Sequence, residues 1–386
     1  MNTYSTTQTD SAAGRPVPPV STELLTLGVE EEFLLVDPVT WRPAPLAPQL
    51  LAAVGGPGPR LQGEATRYQV ELATPVAAGA AELRAELGKL RSTLAAAARE
   101  LGCRLVAGAV PVLGPAGPLE LSTGLPRQRA VHAHFGELAQ TLVGCGRHVH
   151  VGSLDKEQAV AAANRIRPWV PALIALAANS PYAYGRDTGH AGWRTLSWSG
   201  WPSAGPTPLF ADATDYERAV MRLVDAGAAI DANMVYWDLR PSRAWPTLEI
   251  RAADVSPDTG HAVLLAVLGR ALVTTALSAH DEGLPLPPVT DEVLRLARWR
   301  AAHDGLEGTA LDPFTGAELP AARLAERLLE AVAPALTAAG DLDLAADAVD
   351  ELLCRGSWAA RQRKAFARRE DMTDVLRFLA DETERL

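Results

Sequence analysis

The chain has 386 residues, 48% apolar and 21% charged, the balance of an ordinary globular protein and enough chain to bury a sizeable core. Its 36 basic against 46 acidic side chains give a net charge of −10, which argues against a nucleic-acid partner, since phosphate binding needs a basic face, although a nucleotide could still be held through cations bridged to carboxylates. No run reaches the roughly 18 uninterrupted apolar residues of a membrane span, and three scattered cysteines, Cys103, Cys145 and Cys354, exclude a disulfide framework or a CxxC zinc ribbon.

Residues 1–22, a Ser/Thr-rich start with Pro16, Pro18 and Pro19, are expected to be a disordered tail. They lack the basic and apolar regions of a secretory signal, so the expected compartment is the cytoplasm, where the thiols stay reduced. Leu27 to Asp37 is predicted as a strand stopped by Pro38, and a Pro/Gly-rich connection follows from Pro43 to Arg60. Tyr68 to Val76 is a second strand, ended by Pro75. Ala80 to Leu101 has helical spacing, with Gly102 where a C-cap belongs. Cys103 to Val112 is a third strand; Pro126 opens a helix through Leu142. Cys145 to Ser153 alternates strictly, and Asp155 can cap a helix running to Ala178.

Asn179 to Asp212, rich in Pro, Gly and Trp, is long for a structureless loop, and such loops tend to be lids or binding loops. Helix is expected again from Asp215 to Ala232. Val235 to Pro241 and Thr247 to Asp254 then form strands at hairpin spacing. From Asp258 onward the pattern is helical, broken at Pro285–Pro288 and Leu311–Gly316. The early strands are mostly amphipathic, which points to an α+β fold with an antiparallel sheet, one face covered and one open.

Four strands place two strong polar groups at i and i+2, on one sheet face: Glu30 with Glu32, His148 with His150, Asp238 with Arg240, and Glu249 with Arg251. A fifth carries Glu71 between Val70 and Leu72. Any one pair suits a solvated face, and Glu31 between two acids reads as a surface edge. Several such strands together need something positive among the acids, because an unpaired buried charge is costly. Mg²⁺ or Mn²⁺ would suit oxygen ligands, and Mn²⁺ also accepts an imidazole. His132 and His134 fall in a helical pattern, where i and i+2 do not face each other. A P-loop, a GxGxxG helix start, HExxH and GxSxG are all absent from the sequence.

Leu27-Gly-Val-Glu-Glu-Glu-Phe, Val70-Glu-Leu-Ala-Thr, Arg147-His-Val-His-Val-Gly, Ser180-Pro-Tyr, Asp238-Leu-Arg-Pro and Thr247-Leu-Glu-Ile-Arg-Ala-Ala-Asp occur in that order. Together they resemble the glutamate–cysteine ligase type 2 family, the carboxylate–amine ligases. The likeness runs from Leu24 to the C-terminus and includes Leu306 to Gly316.

The resemblance implies a glutamine synthetase/guanidino kinase-like catalytic fold, an antiparallel sheet funnel with flanking helices. It implies that residues 23–386 form one carboxylate–amine ligase domain with a helical C-terminal third. It also implies ATP and Mg²⁺ (or Mn²⁺), small-molecule acid and amine substrates, and a homodimer. Carried over by motif, Glu30, Glu32, Glu71, His150 and Glu249 look like metal ligands, joined by Glu64 seven residues before Glu71. Arg240 and Arg251 look like phosphate or carboxylate contacts, and Arg194 looks like a contact to nucleotide or acid substrate. Arg67 departs from the family, which carries an acid there.

The reaction so implied joins the γ-carboxylate of glutamate to an amine such as that of cysteine through an acyl phosphate. Asn179–Asp212 would be the lid that keeps water away. The alternatives are a ligase of this fold with another acid or amine, a metal-dependent amide hydrolase, and a relative that binds nucleotide without turnover.

Overall fold

A computed structural model of the chain describes residues 24–56, 58–122 and 126–385; the expected N-terminal tail lies outside them. Strand β1 (Leu27–Val36) is followed by helix α1 (Ala47–Ala53), strands β2 (Leu61–Gly63) and β3 (Gln69–Ala73), helix α2 (Ala80–Glu100) and strand β4 (Arg104–Val106). Helix α3 (Pro126–Phe135) continues as a 3₁₀ turn to Leu142, because Gly136 takes a positive φ of 54° at the junction. Strand β5 (Gly146–Gly152) leads to α4 (Lys156–Ile166), where Asp155 and Gln158 form a capping box. The single helix expected to Ala178 is divided by Pro168 and Pro171 into α4, a 3₁₀ turn and α5 (Val170–Ala177).

The long segment after Asn179 is not structureless. It holds the short pair β6 (Tyr182–Ala183) and β7 (Arg186–Asp187), helix α6 (Trp193–Ser197) and strand β8 (Ala204–Gly205). Helix α7 (Ala213–Asp225) is capped by Asp212 and stops short of Ala232, since Gly227 takes a left-handed φ of 70°. Strand β9 (Tyr236–Trp237) pairs in parallel with β8, and β10 (Leu239–Pro241) forms the expected hairpin with β11 (Thr247–Asp254).

The helical third comprises α8 (Thr259–Asp281), α9 (Asp291–Asp304), a hairpin of β12 (Thr309–Leu311) and β13 (Glu318–Pro320), and then α10 (Ala321–Ala339), α11 (Leu342–Arg355), α12 (Trp358–Phe366) and α13 (Met372–Thr383). The Leu311–Gly316 interruption is the turn of that hairpin, fixed by Asp312, which accepts from Phe314 N at 2.9 Å and Thr315 Oγ1 at 2.7 Å.

Seven strands form one antiparallel sheet in the order β10-β11-β5-β1-β3-β2, with β4 also pairing with β1. The fold is therefore α+β, as the pattern predicted. Helix α8 packs on the back of the sheet against β5 and β1 and is flanked by α2, α4, α10 and α11. By length and composition it could cross a membrane, but most of it is buried as the core helix. Gly269 lets it approach the sheet, because a Cβ there would lie 2.9 Å from Ile250 Cδ1. One apolar cluster runs from Leu27 in β1 to Ala380 in α13.

Three expectations are corrected here. The strand predicted from Cys103 to Val112 is regular only over β4. The connection from Pro43 to Arg60 contains α1, which buries Leu50 and Leu51 behind a proline start. The polar face is not open over β5, where all seven residues are buried, whereas on β1 Glu30 and Glu32 stay partly exposed.

Candidate active site

The strand register gathers the polar groups on the face away from α8. Glu30 lies opposite His148, Glu32 opposite Glu71, and His150 opposite Glu249, which in turn lies opposite Arg240. Directly opposed residues of an antiparallel pair share a face, so β3, β1, β5, β11 and β10 all contribute to one surface.

Two groups of possible metal ligands stand on that surface. Ligand atoms of Glu30, His150 and Glu249 lie within 4.8 Å of one another, as do those of Glu32, Glu64 and Glu71. In the first group, His148 Nδ1 stands 2.9 Å from Glu30 Oε2, and His150 Nε2 stands 3.3 Å from Glu30 Oε1. Burial alone would raise the Glu30 carboxyl, but the two imidazoles outweigh it and hold the acid well below the usual carboxylate range. Glu249, fully buried, is held down to about 2, with the charges of Arg251 and Arg240 overcoming burial. His148 is pushed down to about 4 by burial and by Arg251, so it is neutral near pH 7.

The second group behaves in the opposite way. Burial raises Glu32 to about 7, with Glu71 adding to the shift and Arg194 opposing it. Glu71 is raised well above the usual range by burial and by Glu64, and burial raises Glu64 as well. Some order comes from Gly146 N, which donates to Glu32 Oε2 at 2.6 Å, and from Gln62 Nε2, which donates to Glu71 Oε1 at 3.1 Å.

Both groups fit a divalent cation. His150 Nδ1 lies 2.9 Å from Thr247 Oγ1, while its buried Nε2 faces Glu30 Oε1 at 3.3 Å without hydrogen-bond geometry. If Nδ1 donates to Thr247, Nε2 keeps its lone pair for a metal, the usual outer-shell arrangement. The second group offers three carboxylates, the oxygen donors that Mg²⁺ and Mn²⁺ prefer.

The three predicted arginines surround these groups. Arg240 donates to Glu249 Oε2 from Nε at 2.9 Å and from Nη2 at 2.6 Å, and Arg251 pairs with Glu249 Oε1. Arg251 sits where β11 slips its register between Ile250 and Ala253, a bulge that re-aims the side chain. Arg194 is buried at the other end. Its Nη1 lies 3.9 Å from Asp254 Oδ1 and 3.3 Å from the Ala253 carbonyl.

That placement depends on Gly146, where any Cβ would collide with the Arg194 guanidinium. Gly146→Ala is expected to expel Arg194 and lower kcat/KM about tenfold or more, since small misplacements of a charged group at a reacting centre are costly. Steady-state kinetics of the folded variant check this; unchanged kcat/KM would remove Arg194 from the site.

The structure corrects the sequence reading at several positions. Asp238 does not share the site face with Arg240, because it interrupts the strand and is taken by Arg298 at 3.0 Å. Glu31 is no surface edge; it is fully buried on the opposite face. Arg67 pairs with Glu120 at 2.9 Å, with both side chains partly exposed. The start of the Asn179–Asp212 segment is anchored: Asn179 N and Ser180 Oγ donate to Asp254 Oδ2 at 3.0 and 2.6 Å, and Gln362 Nε2 donates to Asn179 Oδ1 at 2.6 Å. His148 and Thr247 were missed as partners of Glu30 and His150, although their i, i±2 spacing from assigned residues on the same strands carried the signal.

A family model described as glutamate-cysteine ligase family 2 matches residues 26–379. A protein of Saccharopolyspora erythraea named as a candidate glutamate–cysteine ligase 2-1 is 46% identical over 363 residues, 93% of this chain and 95% of that protein. Among solved structures, the glutamate–cysteine ligase of Francisella tularensis in complex with AMP superposes with a TM-score of 0.71 at 13% identity, covering 96% of this chain and 90% of that one. A bifunctional glutathione synthetase from Pasteurella multocida superposes with a TM-score of 0.67 at 14% identity, covering 94% of this chain and 52% of that one. At such low identity the two structures bear on the fold alone.

Proposed function

Because the chain belongs to glutamate-cysteine ligase family 2, we propose that it is an ATP-dependent ligase joining the γ-carboxylate of glutamate to the amine of cysteine through an acyl phosphate. The observation that carries this reading is the pair of ligand groups side by side on one sheet face, with three arginines among them.

Glu30, His150 and Glu249 would hold one Mg²⁺ or Mn²⁺, and Glu32, Glu64 and Glu71 a second. Bound there, the cations supply the charge neutralisation that ATP phosphates need. The residues themselves position and clamp. Arg240 and Arg251, fixed by Glu249, present guanidinium groups to the transferring phosphoryl group. Arg194, held by the Ala253 carbonyl and Asp254, is placed for the acid or nucleotide at the Glu32 end.

In the first step a carboxylate oxygen of the acid attacks the γ-phosphorus, the bond to the bridging oxygen breaks, and ADP leaves. In the second the amine nitrogen attacks the acyl carbon, phosphate leaves with the C–O electron pair, and the ammonium proton passes to solvent or a carboxylate. The segment from Asn179 to Asp212, anchored at its start to Asp254, would limit access of water to the acyl phosphate.

The continuous core supports reading residues 23–386 as one catalytic unit, and the antiparallel sheet with its acidic face supports a glutamine synthetase/guanidino kinase-like fold. Free cysteines and the use of ATP are consistent with the cytoplasm; the homodimer rests on the family likeness.

The test is ADP and phosphate release from a panel of acids and amines, with product mass measured. Release that requires glutamate and cysteine together supports the reading, and release with another pair keeps the ligase and changes the substrate. Amide cleavage without ATP, or nucleotide binding without turnover on any pair, overturns it.

A further inference from the structure

Behind the acidic face, three charged side chains are fully excluded from water: Glu31, Arg91 and Arg147. Glu31 Oε1 accepts from Arg91 Nη2 at 2.7 Å and from Arg147 Nε at 2.9 Å, and Oε2 accepts from Arg91 Nε at 2.8 Å. The arginines reach onward to the loop that leaves β11: Arg91 Nη2 donates to the Ser256 carbonyl at 3.0 Å, its Nη1 to the Pro257 carbonyl, and Arg147 Nη2 to Ser256 Oγ at 2.7 Å. Arg91 also lies over the Phe33 ring, 5.2 Å from its centroid.

We propose that the buried Glu31–Arg91–Arg147 triad is the positioning device of the active site, fixing β1, β5 and the end of β11 so that Glu30, Glu32, His148, His150 and Glu249 face one another. This rests on the reading above for what those residues do, but not for where they stand.

Side chains alternate along a strand, so a one-residue slip of β1 sends its whole site face to the back. A one-residue slip would set Glu30 or Glu32 before the arginines and is opposed by Val29 and Phe33, which are buried on the same face as Glu31. A two-residue slip would bring those apolar residues to the arginines and leave buried guanidinium groups without their carboxylate, which is strongly unfavourable.

Each arm of the triad also touches a strand next to a site residue. Glu31 lies between Glu30 and Glu32, Arg147 directly precedes His148, and Ser256 lies two residues beyond the end of β11, which carries Glu249. A well-packed apolar patch would stabilise such a position at least as well as an ion triad, so specificity of placement is what the charges add.

Two variants test this: the apolar triple variant Glu31→Leu, Arg91→Met, Arg147→Met, and the charge-preserving Glu31→Asp. Both are read by thermal unfolding, by kcat and KM, and by ¹⁵N-histidine NMR of the His148 and His150 imidazoles, which needs neither metal nor turnover. The expected result is a folded triple variant with kcat lowered about 100-fold, KM altered far less, and both imidazole signals shifted. Glu31→Asp should fold, shift the same signals and lose about tenfold in kcat. Wild-type kcat and imidazole signals in either folded variant would overturn the proposal. If the triple variant does not fold, Glu31→Asp decides alone. If the wild type proves not to be a ligase, the imidazole signals still decide the positioning role.

Discussion

Glu249→Gln is expected to lower kcat roughly a thousandfold, the upper range for loss of one preorganised charged contact at a transition state. Glu249 is buried at the centre of the arginine clamp, accepting from Arg240 and paired with Arg251 on the same carboxylate. It also completes the proposed metal-ligand group with Glu30 and His150. A glutamine has nearly the same shape, so packing survives, but two guanidinium groups lose their counter-charge and one ligand oxygen loses its negative charge. Breaking such a pair also destabilises the fold, by about 3 kcal/mol.

The acid limb of stability should change as well. Glu249 is held at about 2 in the folded chain against an ordinary 4.5, so it stabilises the fold above the ordinary value and loses that contribution as pH falls towards 2. The variant should lack this contribution. Steady-state kinetics and urea unfolding from pH 3 to 7 measure both effects. Near-normal kcat would remove Glu249 from the chemistry.

Stripping divalent cations is expected to make the protein less stable as pH rises, and restoring Mn²⁺ should reverse this. Glu32 is raised to about 7, and Glu64 and Glu71 are raised too, burial being the largest cause in each. The folded chain therefore binds more protons than the unfolded one above pH 4.5, and stability falls as pH rises through the folded values. His148, lowered to about 4, acts in the opposite direction, but its contribution is complete once pH exceeds the ordinary 6.5.

His150 is raised too, burial being outweighed by Glu30 and Glu249, so the window from pH 6.5 to 8 reports the three glutamates together with this imidazole, all acting in the same direction. A cation bound there favours the ionised carboxylates, so Mn²⁺ should raise the thermal midpoint more at pH 8 than at pH 6.5. At a hundredfold excess over its Kd, the ligand contributes about 2.7 kcal/mol. Calorimetry with chelated and Mn²⁺-loaded protein gives the comparison. Equal midpoints with and without Mn²⁺ at pH 8 would show that these carboxylates do not form a cation site.

Much of the site was legible locally. Alternation along β1, β5 and β11 is a short-range property, and it assigned Glu30 with Glu32, His148 with His150 and Glu249 with Arg251 to common faces before any pairing was known. Helix α2 and the Asp155 cap of α4 were equally readable, because periodicity and capping act within a few residues. Short elements were not: α1 and the 3₁₀ turns are held by tertiary packing, since such lengths are marginal on their own.

The sequence by itself determined that acids, imidazoles and arginines stand on strands, and which of them share a strand face. Only the tertiary structure decided which strands are neighbours, because pairing β1 with β5 and β5 with β11 joins residues roughly a hundred positions apart. Tertiary closure brought Glu32 to the Glu64–Glu71 hairpin, carried the charge of Arg194 near Glu32, gave Asp238 to Arg298, and turned Glu31 inward to two arginines. A side chain's period is set by its own backbone, whereas its partner is set by how the whole chain closes around one core.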